Sequence, residues 1–126
     1  MPFSSDFRDG ICDVIAGNAN LNLITPYCAL FNGNPSSGGS EVTSTIDSAG
    51  RQAISFDTPS GGDMANDVAV DFGIAEGNAT VSYVAIYDAA TMGNLIAWAA
   101  LAGGSEAVVI GNAVRFNIGD LSVSVD

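Results

Sequence analysis

A chain of 126 residues is long enough for one apolar core and too short for two. Fourteen acids stand against three bases, all arginine (Arg8, Arg51, Arg115), with no Lys and no His, so no basic stripe can displace counterions from phosphates and nucleic acid is set aside as a partner. A hydrophobic share of 48% argues against disorder, and a charged share of 13% leaves a surface built largely of Ser, Thr, Asn and Gly.

The pattern predicts one amphipathic helix at about 4–17. Phe7, Ile11, Val14 and Ile15 fall on one face, Phe3 joins them, and Asp9, Asp13 and Ala16 lie opposite. Ser4 or Ser5 is placed to cap it and Gly17 to end it. A first strand is predicted at 23–31, with Pro26 confined to its start or to a sheet edge. Asn32 to Ser40 reads as a loop, Glu41 to Asp47 is ambiguous, and a short strand at 50–57 points Ile54 and Phe56 inward. At 68–74 Val68, Val70, Phe72 and Ile74 alternate with Ala69, Asp71 and Gly73.

The stretch 80–101 predicts a central hairpin. Val84 and Ile86 alternate with Tyr83, Ala85 and Tyr87 over 80–88, turn residues follow from Asp88, and 94–101 is apolar on both sides. Tyr83 and Tyr87 are expected in a second core layer; exposed, they would be interface anchors. Strands at 106–110 and 113–118 are expected to pair across Gly111-Asn112, burying Val114, Phe116 and Ile118, and the last strand, 121–126, alternates Leu121, Val123 and Val125 with polar residues. These elements predict a single mainly β domain spanning 1–126. It is an antiparallel sandwich, jelly-roll or immunoglobulin-like, of about eight short strands preceded by one helix.

Chemistry is sparse. Without His or Lys there is no imidazole nucleophile pair or metal site, no Schiff base and no P-loop lysine, so neither catalysis nor a cofactor is expected. Asp63, Asp67 and Asp71 recur every fourth residue and are the calcium candidates, with Asn32, Asn34 and Asn66 adding oxygens; the alternative makes Asp67, Ala69 and Asp71 the wet face of a strand. Cys12 and Cys28 suit two buried free thiols. No run is long enough to span a membrane, and the acidic amino terminus lacks the basic start of a secretion signal, so synthesis in a host cytoplasm and no membrane partner are expected.

Pro26-Tyr27-Cys28-Ala29-Leu30-Phe31-Asn32-Gly33-Asn34-Pro35, then Glu41-Val42, the stretch Ser48 to Phe56 around Arg51-Gln52-Ala53, Val84 to Asp88, and Gly119 to Val123 occur in an order that resembles a family of small phage virion proteins, labelled minor tail, tail-fibre or head-decoration proteins. The resemblance implies a virion structural role by assembly, with no catalytic residues to carry over. The first expectation is a capsid accessory protein bound in many copies to the major capsid protein; the second is a tail, baseplate or fibre component contacting tail proteins; the third, from another class, is a carbohydrate-binding sandwich stacking sugars on Tyr83, Tyr87 or Trp98. A homo-oligomer is expected. Candidate interface residues are Cys12, Ala16, Asn32, Asn34, Ser37, Asp63, Asn66, Met92 and Asn94.

Overall fold

The alternation around Val84 and Ile86 organises a five-stranded antiparallel sheet. In a computed structural model describing residues 1–20 and 24–124, the chain forms α1 (Ser5–Ile15), β1 (Tyr27–Asn32), a 3-10 turn (Pro35–Ser37), β2 (Ser40–Glu41) and the one-turn α2 (Thr43–Ile46). Then come β3 (Gln52–Ala53), β4 (Asp63–Ala65), β5 (Val70–Ile74), β6 (Ala79–Val81) and β7 (Tyr83–Tyr87). The chain continues with β8 (Leu95–Ala100), β9 (Glu106–Val108), β10 (Ala113–Phe116) and β11 (Ser122–Ser124).

The main sheet runs β2-β1-β7-β8, and β3 pairs with β1 on the same edge as β2. Three two-stranded ribbons, β5 with β10, β4 with β11 and β6 with β9, supply the opposing layer. Cys28, Leu30, Val84, Ile86 and Ala97 from the sheet meet Val70, Phe72, Val81, Val108, Leu121 and Val123 from the ribbons in one core. Each such Leu, Ile, Val or Phe contributes roughly 1.5–3 kcal/mol by leaving water. The fold is therefore mainly β, antiparallel and sandwich-like, and it is not a closed barrel.

Two local breaks explain where a strict two-residue period misleads. Gly73 has φ +75°, and the ladder slips there so that Val114 faces Gly73 while Arg115 faces Asp71, leaving Phe72 as the extra residue. Beyond that bulge the inward position passes to Ala75, 2% exposed, and Ile74 turns out to solvent at 60%. A second break lies at Ser82. The predicted 80–88 strand divides into β6, paired with β9, and β7, paired with β1 and β8, so Val81 joins the same core as Val84 and Ile86.

Other expectations are corrected. The strands flanking Gly111-Asn112 do not pair with each other: β9 joins β6 and β10 joins β5, and the turn itself bonds to Ala75 beyond β5, Gly111 N donating to Ala75 O at 3.0 Å and Ala75 N to Asn112 O at 2.8 Å. Ile118 is exposed, lying past the end of β10, and Ile15 is exposed at the last turn of α1. The 50–57 segment gives only the short β3 and an isolated bridge from Phe56 to Asn66, although Ile54 is buried as expected. The ambiguous 41–47 segment contains α2, whose Thr43 and Ile46 are buried. Leu23, Val125 and Asp126, placed in strands by the sequence pattern, lie outside the described residues.

Candidate interaction site

Both β2 and β3 lie on the edge of β1, so Glu41 at the end of β2 and Arg51 just before β3 come within reach although ten residues apart. Arg51 donates from Nε to Glu41 Oε2 at 2.9 Å and from Nη2 to Glu41 Oε1 at 2.8 Å. Its Nη1 donates to the carbonyls of Ala89 at 3.0 Å and Met92 at 2.7 Å, and the guanidinium carbon sits 3.8 Å from the centroid of the Tyr87 ring. Only 7% of the Arg51 side chain is exposed. Thr43 Oγ1 donates to Glu41 Oε2 at 2.8 Å and accepts from Leu30 N at 2.9 Å, which ties the pair to the core.

The electrostatics follow from that geometry. Burial pushes the Glu41 carboxyl up, but the hydrogen bonds from Arg51 and Thr43 and the Arg51 charge outweigh it and hold the group below the usual carboxylate range. The hydrogen bond to Glu41 raises Arg51 above its ordinary value against the opposing effect of burial, and burial raises Tyr87 while Arg51 opposes. This arrangement anchors a loop; its charge is already neutralised by Glu41.

The anchored loop joins β7 to β8. Asp88 accepts from Asn94 N at 2.7 Å and from Asn94 Nδ2 at 3.1 Å, closing the loop at its base. A Cβ on Gly93 would lie 2.6 Å from Asp88 Oδ1 and 2.7 Å from Ala89 Cβ, so only glycine fits this close approach at φ +73°. At the tip Met92 has φ +55° and is 86% exposed.

Asp88 and Asn94 also line an open cavity of about 490 Å³ between α1 and β8, together with Asp6, Gly10 and Ile11. An apolar cavity of about 340 Å³ shares Phe7, Ile11, Ile24 and Ile96 with it. The helix above buries none of its residues. It is held at its start, where Ser4 Oγ accepts from Phe7 N at 3.2 Å and donates to the Leu95 carbonyl, Ser4 N donates to Ile96 O at 2.7 Å, and Trp98 N donates to Pro2 O at 3.1 Å.

Behind the sheet, Ala29, Phe31 and Ala85 are buried under half-exposed Tyr83, Tyr87, Leu95 and Trp98. Phe31 lies nearly parallel to Tyr87 with ring centroids 6.1 Å apart and planes 8° apart, and Arg51 packs on the same ring, so the chain itself engages Tyr87. Trp98 and Tyr83 meet at 6.0 Å with planes tilted by 59°.

The expected interface residues scatter. Cys12 and Ala16 are exposed on α1 and its cap, which corrects the expectation of a buried Cys12: the wet face of the helix carries it. Cys28 is buried, and burial pushes its thiol far up. Met92 and Asn94 share the anchored loop. Asn32 ends β1, Asn34 caps the 3-10 turn by accepting from Ser36 N, and Ser37 is exposed in that turn. Asn66 is corrected: it is 1% exposed, its Nδ2 donates to the carbonyls of Val68 and Asn117, and its Oδ1 accepts from Leu121 N. It is an internal strut, unavailable to a partner.

Asp63, Asp67 and Asp71 are exposed, with Asp63 on the β4–β11 ribbon and Asp71 on β5–β10, and among the described residues no group of three acidic, Cys or His side chains is placed to hold a metal. Sequence reasoning missed the Arg51 centre. The available signal was the rarity of bases, since one of three arginines sits ten residues from Glu41 in a Gly/Ser-rich stretch.

The fragments Glu41-Val42, Arg51-Gln52-Ala53 and Tyr87-Asp88, dispersed in sequence, therefore meet at one place. Comparison with curated proteins found no match. A model of the Gp80 family, described as podophage GP4 fiber I protein gp80, matches residues 3–124. The chain belongs to this family of phage fibre proteins.

Proposed function

We propose that the chain is a non-catalytic fibre component of a podophage virion, attached through its surface to a tail protein of the same particle. The observation that carries this reading is the family match over nearly the whole chain. The fibre description favours the tail alternative and lends no support to capsid decoration. The architecture suits assembly: ribbons packed on one sheet, with the exposed 88–94 loop fixed by ion-pair and carbonyl hydrogen bonds. Separation of tails from DNA-filled heads, followed by immunoblotting, tests the reading. The chain is expected with the tails; recovery with tail-free heads returns it to the shell.

A further inference from the structure

The groove between α1 and β8 and the adjoining anchored loop form one continuous surface whose chemistry is unbalanced. Its floor is apolar, with Phe7, Ile11 and Ile96 shared by the two cavities, and Ile24 at 43% exposure also lies in both walls. Its rim is acidic. Asp6 and Asp88 line the groove, and no arginine is among the described residues that line it. Arg51, under the loop, is spent on Glu41. Beside the groove Met92 projects from a backbone conformation that non-glycine residues adopt rarely, and Arg51 holds it there through two carbonyls. A preorganised apolar tip loses little freedom on binding, and a thioether adapts to irregular sockets.

We propose that this surface docks a peptide segment of another virion protein that carries apolar side chains for the groove and Lys or Arg for its rim. A second copy of this chain does not supply such a segment, because its three bases are isolated, one of them is already paired, and its net charge is −11. The partner's identity as a virion protein rests on the reading proposed above; the surface is tested separately.

Gly10 lines the groove, and a Cβ there meets nothing within 4 Å, so Gly10→Leu fills the groove while improving helix propensity. Met92→Glu changes the exposed tip and reverses its complementarity to a basic partner. Variants are supplied in trans to a phage lacking the gene, and their amount in purified virions is measured by immunoblot beside their melting temperatures. Both variants are expected to melt at or above the wild-type temperature within a degree or two, yet to fall at least tenfold in virions, while Thr80→Glu, exposed on β6, is incorporated normally. Benzophenone attached at Thr91→Cys, exposed beside Met92, in a Cys12→Ser background should cross-link to a Lys- or Arg-bearing segment of a different virion protein. Unimpaired incorporation of Gly10→Leu and Met92→Glu, or a cross-link to a second copy, overturns the docking surface alone. Absence of the wild-type chain from virions overturns the virion reading and with it the partner named here.

Discussion

Arg51 touches Glu41, Tyr87 and two loop carbonyls at once, and removing it leaves a half-buried carboxylate and two carbonyls without their donor. Arg51→Ala is therefore expected to lower unfolding stability by about 2–3 kcal/mol, less than a fully buried pair because Glu41 keeps 31% exposure. Arg51→Lys should recover little, since an ammonium cannot serve a bidentate carboxylate and two carbonyls in one plane. Urea denaturation at neutral pH checks both, and loss of less than about 0.5 kcal/mol on Arg51→Ala would show the pair to be ornamental.

The Glu41 carboxyl sits below its ordinary value of 4.5 when folded, so its contribution is complete above that value and is lost as pH falls through the depressed folded value. Glu41→Gln should be less stable at pH 7 and show a shallower loss below pH 4.5 than the wild type, measured by thermal melts across that range. Equal slopes for the two proteins would contradict the linkage. None of this was legible locally: Glu41 and Arg51 entered only as separate fragments of a resemblance, and Asn66 as a calcium and interface candidate, because the carbonyls Arg51 holds and the groups Asn66 bonds lie tens of residues away.

Among elements, β7 and β8 were legible because Val84, Ile86 and the apolar run after Asn94 bury side chains at the pleated period. The first strand was legible but its start was not: it was placed at 23–31, whereas β1 begins at Tyr27, after Pro26, which cannot donate into the ladder. The Gly73 bulge was hidden, since a glycine in an alternating run looks like a wet-face residue until its φ is known. Gly73→Ala should cost about 1–2 kcal/mol, the penalty of a side chain in left-handed backbone, even though its Cβ would meet no neighbour. The helix was also legible, but its loose seating was not. With no buried residue, α1 should exchange its amide hydrogens orders of magnitude faster than β1 or β7, and equal protection by mass spectrometry would refute that weak attachment.

For the whole molecule, composition and strand spacing revealed a mainly β sandwich, while pairing did not follow from adjacency. The Gly111-Asn112 turn looks like a hairpin, yet its flanking strands join β6 and β5, and the turn's own backbone groups bond to Ala75. The same scale holds the central claim, that this acidic, ribbon-backed sheet is a fibre component working by attachment. Its most direct measurement is gold-labelled antibody against the chain on intact virions, viewed by electron microscopy. Label on fibres at the tail is the predicted result, and label distributed over the capsid shell would contradict it.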